Sequence, residues 1–408
     1  MGTMTKRAPQ TILWLTLFTL ALLPKARGGR VKIKPYIDLQ TRYEDNIFLE
    51  SEGPDANESD MSVVVTPGIS VEWPVWDLFW QAFYQAGFGF YLDFTDNDYI
   101  THTFGGLVRY TPVEALSLGL SDTLEISQLP EAGNETFTYN KILGQAKYEW
   151  LTGVGTSASF HLSTYDDPSP SKAGNFDETG YSLSQSYKLS SKTDFTLTGT
   201  LRDREFENMP LKDYDEMLIR FVTRYSPWDD FTAWVGPGVK WRSYEGGDDS
   251  SFVGSLKGSF KPTDHELSLG YDYDVVDTFE ELQIEEFEGL TTEFTSERSY
   301  SEIRTYAVEF THVYRHKFSL NWLWHFLPST SLITEGTYQM NEYDSFISSS
   351  YTNRGRDDDI IIGTLGIQQK FTKWLIFVLK YSYLTRSSNI KEEEYDANRI
   401  GIEVLGSF

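Results

Sequence analysis

The stretch "YDANRIGIEVLGSF" (residues 395–408) decides the fold class, because its apolar residues fall on every second position. One face of the segment carries Ile400, Ile402, Val404, Gly406 and Phe408, and the other face is mostly polar. A period of two is typical of a β-strand with one apolar face. A soluble sandwich would show the same pattern, so the rest of the chain has to indicate whether the apolar face meets a protein core or lipid.

The composition narrows the class of protein. Aromatic residues make up 15% of the chain, and its 25 Tyr and 11 Trp are residue types that favour membrane interfaces. After the N-terminal region, no apolar stretch approaches the ~20 residues that a membrane-spanning helix needs. The absence of Cys excludes disulfides, thiolate metal sites and cysteine nucleophiles. A net charge of -25 argues against a nucleic-acid partner.

The N-terminus has the order of a secretory signal. Lys6 and Arg7 precede the apolar run 12–23, and small residues follow in "KARGG" (25–29). This charged, apolar and small-residue order is that of a signal peptide, and the run is too short to cross a bilayer as a helix. We predict that residues 1–28 are a secretory signal peptide and that residues 31–408 form one domain.

Strand-like segments recur along the whole domain. In "DFTLTGTLRDR" (194–204), for example, Phe195, Leu197 and Leu201 alternate with polar residues. Segments of about ten residues with this alternation are typical of transmembrane β-barrels. The segments lie near 31–43, 60–73, 80–94, 100–111, 114–127, 136–149, 153–165, 177–189, 193–206, 213–225, 230–244, 250–261, 264–278, 299–315, 328–344, 356–371, 374–388 and 395–408. We predict an all-β fold, a single transmembrane antiparallel β-barrel of about 18 strands, with a range of about 16–20.

The connections between these segments alternate in length. Short turns such as "SSKT" (190–193) and "KPTD" (261–264) alternate with acidic stretches, the longest of which spans 278–299. Bacterial outer-membrane barrels have short periplasmic turns and longer outer loops. We therefore predict the outer membrane of a Gram-negative bacterium, with Phe408 in the periplasmic aromatic girdle. The loop 278–299 can fold inward as a constriction or stand outside in solvent, and we favour the outside position.

Two stretches near the N-terminus resemble a known family. "RYEDNIFLES" (42–51) and "DMSVVVTPGISVEW" (60–73) are similar to the opening hairpin of a family of bacterial outer-membrane β-barrel porins, some encoded beside exopolysaccharide systems. The likeness rests on Asp45 to Phe48 and on Thr66 to Ile69, and it covers residues 36–73. It implies an outer-membrane barrel without indicating a solute. A last strand ending in Phe408 also resembles the signal read by the barrel assembly machinery, which the resemblance implies as a partner.

The sequence contains little that indicates catalysis. His161 shares its strand face with Ser157, Ser159 and Ser163, and Asp166 follows, so a Ser/His/Asp hydrolase site can be imagined. No nucleophile-elbow pattern accompanies these residues, and serines are common on lumen faces. We predict that the protein is not an enzyme and has no catalytic residue, cofactor or metal ligand.

Alternation also predicts which charges face the lumen, because a cation on the lipid face costs about 2–4 kcal/mol at mid-depth. The inward basic residues, from neighbouring strands, are Lys188, Arg202, Arg204, Arg220, Arg224, Lys240, Arg242 and Lys257. The inward acidic residues, which we expect to face them, are Asp38, Asp93, Glu266, Asp272, Asp274, Glu309 and Glu335. Pores use such charges for selectivity. The alternative is that they neutralise each other in pairs across adjacent strands. Pairing in register predicts Thr200 near Arg220 and Arg204 near Glu216.

These patterns favour a porin for passive passage or export of hydrophilic solutes, among which polysaccharide is one candidate. A sheath or scaffold around a periplasmic partner, such as an electron carrier, is the alternative, and a barrel-embedded hydrolase is a weaker one. The expected partners are outer-membrane lipid, lipopolysaccharide, the barrel assembly machinery and a hydrophilic solute, without nucleic acid. No residue pattern identifies the solute.

Overall fold

A computed structural model describes residues 29–46, 58–95, 98–129, 135–166, 175–207, 213–244, 247–276, 310–345, 356–391 and 394–407. The strands of these residues are β1 (Lys32–Glu44), β2 (Asp60–Val75), β3 (Leu78–Tyr91), β4 (Tyr99–Val113), β5 (Leu116–Leu129), β6 (Glu135–Leu151), β7 (Val154–Asp166), β8 (Phe176–Lys188), β9 (Thr193–Phe206), β10 (Tyr214–Trp228), β11 (Phe231–Tyr244), β12 (Gly247–Phe260), β13 (His265–Val276), β14 (Phe310–Leu327), β15 (Thr330–Ser345), β16 (Arg356–Lys370), β17 (Leu375–Ser388) and β18 (Tyr395–Ser407). Within these ranges, no helix has the length and apolar character that spanning a membrane would require.

The strands form one closed antiparallel sheet. Each strand pairs with the next along the chain, and β18 returns to pair with β1, from Tyr36 opposite Ser407 to Glu44 opposite Arg399. A closed sheet has no free edge, so the backbone groups of the first and last strands are paired as well. The prediction of a single antiparallel barrel is confirmed, with 18 strands in the described residues.

The two ends of the barrel differ in their connections. At one end, which we call the turn end, residues 76–77, 114–115 and 229–230 suffice to join successive strands. At the other, the loop end, the connections include residues 45–59, 167–175 and 277–309. The expected alternation of short turns and longer connections is therefore present except at residues 245–246, where a loop-end connection is as short as the turns.

The faces of the sheet are inverted relative to a soluble protein. On β18, Ile400 and Ile402 are 48% and 39% exposed, whereas Glu403 is only 5% exposed. On β9, Leu201 is likewise exposed and Arg204 is buried. An apolar surface around a polar interior is stable in lipid, because the closed barrel pairs the backbone N–H and C=O groups with each other in hydrogen bonds between strands. The apolar face of the terminal strand thus points outward, as the lipid-facing interpretation predicts.

Charges on the outward face are restricted in sign and position. In the described strands, no Lys or Arg takes an outward position. The outward carboxylates at the loop end form a group that we call the acid rim: Asp166, Asp177, Asp203, Glu205, Asp215, Asp248, Glu342, Asp357, Asp359 and Asp396. Asp203 lies directly opposite Asp215 on the neighbouring strand. Asp122, in the middle of β5, is the one outward carboxylate of these strands outside the rim, and it accepts a hydrogen bond from Asn140. The acid rim therefore marks the upper limit of the apolar band.

Two strand boundaries differ from the prediction. The fourteenth strand was predicted at 299–315 and is observed at Phe310–Leu327. Its outward face continues through Phe318, Trp322 and Trp324, so the period of two extends to the turn end. The third strand was predicted to end at residue 94 and ends at Tyr91. Asp93 consequently lies beyond the strand, where its backbone N–H donates to Asp60.

Some predicted features lie outside the described residues. These are the signal peptide at 1–28, the loop 278–299, Glu309 and the terminal Phe408. They stay predictions.

Candidate channel wall

Eight basic residues of β8–β12 share the inner face of the barrel. Several of their outward neighbours are apolar: Leu201 precedes Arg202, and Trp241 lies between Lys240 and Arg242. We call this group the basic wall, and it comprises Lys188, Arg202, Arg204, Arg220, Arg224, Lys240, Arg242 and Lys257. The structure therefore brings these residues together on neighbouring strands. Their role in selecting a solute stays a prediction.

The register of β9 and β10 differs from the expected one by two residues. Arg202, not Arg204, lies opposite Glu216, and Arg220 lies opposite Thr198 rather than Thr200. The predicted register was wrong because the number of residues in the connection, and not the alternation, sets which residues pair. A shift of two preserves the faces, so the arginines still point inward.

Near the loop end, Glu178 lies within ion-pair distance of three basic side chains. Its Oε2 accepts a hydrogen bond from Nε of Arg204 at 2.8 Å, and its Oε1 lies 2.7 Å from Nε2 of His161. Nε of Arg202 lies 3.8 Å from the same carboxylate. Glu178 and Arg204 are both buried. A buried charge is tolerated when it is paired and hydrogen-bonded, so this cluster has a structural explanation.

Glu216 has a similar role on the next strands. Its Oε2 lies 2.7 Å from Nη2 of Arg242 and 3.6 Å from Nζ of Lys240. Lys240 also contacts Oδ1 of Asp274 at 2.8 Å. All of these basic groups and Glu216 are buried. The loop-side part of the basic wall is therefore a network of ion pairs.

Aromatic rings cover this network. The guanidinium of Arg204 lies 4.5 Å from the ring centre of Phe176, and that of Arg242 lies 4.4 Å from the ring centre of Tyr214. Stacking of a cation on an aromatic face is attractive, more so when water is excluded. The rings belong to a buried cluster of Phe137, Tyr165, Phe176, Phe206 and Tyr214. We call the cluster and the ion pairs beneath it the loop-side layer.

The turn side of the basic wall is more open. Nη1 of Arg224 lies 3.3 Å from Asp194, and Nζ of Lys257 lies 3.4 Å from Asp272. The side chains of Arg224 and Lys257 are about half exposed. Exposed pairs of this kind contribute about 0–1 kcal/mol to stability.

Arg220 lies between these two regions, at mid-height of β10. It has no carboxylate within ion-pair distance among the described residues, and its cross-strand neighbours are Thr198 and Gly238. Hydroxyl groups line the adjacent strands: Ser184 contacts Thr198 at 2.9 Å, and Ser182 contacts Thr200 at 2.9 Å. We call Arg220 and these hydroxyls the middle layer. It combines one unpaired guanidinium with uncharged hydrogen-bonding groups.

The predicted acidic residues do not form one wall opposite the basic one. Asp272 and Asp274 belong to β13 and pair with Lys257 and Lys240, so they lie beside the basic wall and neutralise two of its members. The neighbouring strand supplies them because β12 and β13 are adjacent in the barrel. Glu266 pairs with Lys261 at the turn end, at 2.8 Å.

The remaining acidic residues are scattered. Asp38 is buried on β1 and accepts a hydrogen bond from Gln40 at 2.8 Å. Glu335 occupies an inward position of β15, opposite Asn321 and Thr364. Asp93, as noted, is beyond the strand end. These residues lie on different strands and at different heights. Their negative charge and predicted inward direction were therefore not enough to place them in one acidic wall.

Sequence reasoning missed two features of the inner face. Glu178 was not singled out, although its even position on β8 is shared with the inward Lys188 and would have placed it inward. On β16 and β17, Asp358 contacts both Arg356 at 2.6 Å and Arg386 at 3.0 Å. "RDDD" at 356–359 contains two inward positions, but an acidic run near a loop gives no signal of an ion-paired core.

The serine, histidine and aspartate residues that could suggest a hydrolase do not form a triad. His161 contacts Glu178 rather than a serine, and Asp166 takes an outward position, where it accepts a hydrogen bond from Asn175. A nucleophile requires a base within hydrogen-bond distance. The described residues around His161 therefore serve the ion-pair network and do not support a hydrolase.

Similar solved structures include outer-membrane porins of Pseudomonas aeruginosa. OpdK, solved with vanillate, has a TM-score of 0.53 and 12% sequence identity, over 92% of this chain and 99% of that chain. The chain has the fold of these porins. OccK2 (OpdF) has a TM-score of 0.52 and 12% identity over 92% and 98% of the two chains, and OpdL has 0.51 and 13% over 92% and 99%.

No protein-family model matches this sequence, and no curated protein is a detectable relative. The likeness of the first hairpin to a porin family therefore stays a resemblance, and a link to exopolysaccharide stays a prediction. At 12–13% identity the solved structures show the fold alone.

Proposed function

We propose that this chain is a passive outer-membrane channel for small hydrophilic solutes, with a preference for anions. The observation that carries the proposal is the middle layer, in which Arg220 has no carboxylate partner among the described residues and lies opposite Thr198, whose hydroxyl contacts Ser184. A guanidinium offers donors in a fork that matches carboxylate and phosphate groups. Passage would need neither hydrolysis nor a cofactor.

The charge of the basic wall supports the preference for anions. The wall contains eight cations, and among the described residues five carboxylates lie within ion-pair distance of them: Glu178, Asp194, Glu216, Asp272 and Asp274. The cations therefore exceed these carboxylates by three. A positive field confined by low-dielectric walls raises the local concentration of anions. The acidic total of the chain does not contradict this, because the acid rim faces outward.

Polysaccharide is a narrower candidate solute. Hydroxyl rows such as Ser182–Thr200 and Ser184–Thr198 offer the hydrogen bonds that a sugar chain uses. We propose it as a second solute class, separable from small anions by whether added oligosaccharide blocks the current of an open channel.

The proposal is tested by conductance of the purified full chain in a planar bilayer. We expect an open, anion-selective pore whose reversal potential in a salt gradient moves toward zero in R220Q. R220K keeps the charge, and we expect it to retain the sign of the selectivity. A cation-selective parent, or identical selectivity in R220Q, would refute the role of Arg220. A chain that inserts but never conducts would favour the scaffold alternative.

A further inference from the structure

The outward face carries the same three-residue arrangement twice. On β3–β4, Tyr84 lies opposite Phe104, and its hydroxyl lies 3.0 Å from Nδ1 of His102. On β13–β14, Tyr271 lies opposite Phe318, and its hydroxyl lies 2.9 Å from Nδ1 of a second histidine, His316. In both cases a Tyr, a His and a Phe occupy successive outward positions of adjacent strands.

The ring geometry repeats as closely as the hydrogen bonds do. The Tyr and His rings are stacked with centres 6.1 Å apart for Tyr84 and His102, and 6.2 Å apart for Tyr271 and His316. The Tyr and Phe rings are tilted with centres 4.8 Å apart at both places. Two sites built from different strands with the same geometry indicate a common ligand or environment, rather than an accident of one strand pair.

Each site has one polar atom without a protein partner. Neither tyrosine hydroxyl has another acceptor among the described residues, so it donates to Nδ1 of its histidine. The proton of the neutral imidazole is then on Nε2, which has no hydrogen-bond partner in the described part of the chain. A donor that faces a water-poor apolar medium without an acceptor is costly.

The depth of the sites indicates which acceptor is present. His102 is three residues from the loop end of β4. His316 is the next outward position below Tyr314, which lies opposite Glu342 of the acid rim. Both imidazoles are thus in the loop-end part of the apolar band, and the outward Ile100 is the next position above His102. In a bilayer, that level holds the ester and amide carbonyls that join the acyl chains to the headgroup.

Headgroup phosphate is a poorer candidate. Recognition of phosphate uses Arg, Lys or helix N-termini, and the described strands place no Lys or Arg outward. A second copy of the chain is also a poorer candidate. The strands β5–β12 separate the two sites in one direction and β15–β18, β1 and β2 in the other, so the sites lie on nearly opposite sides. Contacts made through opposite sides would extend in a row and not close into a ring.

We propose that each Tyr–His–Phe site binds one outer-leaflet lipid through an acyl carbonyl. The imidazole Nε2–H donates to the carbonyl oxygen, the tyrosine hydroxyl fixes the tautomer and the ring plane, and Phe104 or Phe318 contacts the upper acyl chain. The barrel would then hold two lipids at defined positions on opposite sides.

The test compares lipids with and without the carbonyl. The full chain is refolded into dilauroyl phosphatidylcholine and into its dialkyl ether analogue, as the parent, as H102F, as H316F and as the double variant. The matched control is H265F, because His265 is also outward but lies at the turn end, stacked near Trp322 and Trp324.

We expect native mass spectra to show two retained diester lipids on the parent and on H265F, one on each single variant and none on the double variant. We also expect the midpoint of urea unfolding to fall on the change from ester to ether lipid for the parent and H265F, and to stay constant for the double variant. Equal retention in parent and double variant, or an equal ester-to-ether shift in both, would refute the proposal. If one variant does not refold, the remaining single variant and the lipid comparison on the parent still decide it.

Discussion

The loop-side layer and the middle layer of the inner wall use the same residue type for different purposes. In the loop-side layer, Arg204 and Arg242 are buried, paired with carboxylates and covered by rings. In the middle layer, Arg220 lies on β10, between the strands of those two arginines, and it is less buried and has no carboxylate partner among the described residues. Burial and partners, not the presence of a positive charge, therefore decide whether an arginine holds the wall together or stays available to a solute, as we propose for Arg220.

The largest expected effect is on the loop-side layer. E178Q removes the charge shared by Arg204, Arg202 and His161, and leaving buried cations without their carboxylate costs about 3–5 kcal/mol of the free energy of unfolding. The matched control is D194N, which leaves the half-exposed Arg224 unpaired and should cost about 0–1 kcal/mol. Urea unfolding of both variants in lipid vesicles measures the difference. Equal losses of unfolding free energy in E178Q and D194N would show that the buried pairs stabilise the barrel no more than the exposed pair does.

A smaller loss of stability is expected from Y214L. The ring of Tyr214 lies under Arg242 and belongs to the buried cluster, so the change removes a cation–π contact of about 1–2 kcal/mol as well as aromatic packing. F221L, at an outward and exposed position of the same strand, is the control and should change the unfolding midpoint little. A larger effect for F221L would mean that lipid contact matters more than the inner cluster.

D272N should change selectivity with little change in stability. The substitution frees the half-exposed Lys257 from its carboxylate, so the wall gains one net positive charge. Single-channel reversal potentials should then show a stronger anion preference than in the parent, the opposite sign from R220Q. Unfolding should change by no more than about 0.5 kcal/mol, as for other surface changes. A weaker anion preference would show that Lys257 does not contribute to the positive field that selects anions.

Ionic strength should give the smallest effect and separate the two layers once more. The screening length falls from about 10 Å at 0.1 M salt to about 3 Å at 1 M. We expect the anion preference set by the open middle layer to decrease over this range, while the urea midpoint that reflects the buried loop-side pairs changes less. A preference that is constant with salt would indicate selection by pore size alone.

The barrel itself could be predicted from the sequence because its signals are local and repeated. Alternation along "DFTLTGTLRDR" placed Arg202 and Arg204 on one face, and that face is the inner one in the structure. The last strand was predicted in the same way from Ile400 and Ile402. The turn-side half of β14 was missed because His316 and Lys317 interrupt the apolar pattern that Phe318 and Trp322 resume.

The pairs within the wall could not be predicted, because they depend on register. The connection between β9 and β10 shifts the pairing by two residues without changing any face, so Arg202 meets Glu216 and Arg220 meets Thr198. The alternation of apolar and polar residues does not change when the register shifts by two residues, so it cannot indicate the register. The neutralised layer and the unpaired Arg220 therefore became visible only in three dimensions.

The acid rim has a consequence for where the barrel can reside. On several strands its carboxylates begin before the strand ends, as at Asp203, Glu342 and Asp359. The apolar band on the outer surface is therefore shorter than the strands that carry it. In a thick bilayer, either the carboxylates would enter hydrocarbon or the surrounding lipids would have to compress, at a cost of fractions of a kcal/mol for each Å of mismatch. The same protein should refold fastest into short-chain lipids, and in a cell it would be sorted toward the thinnest available membrane.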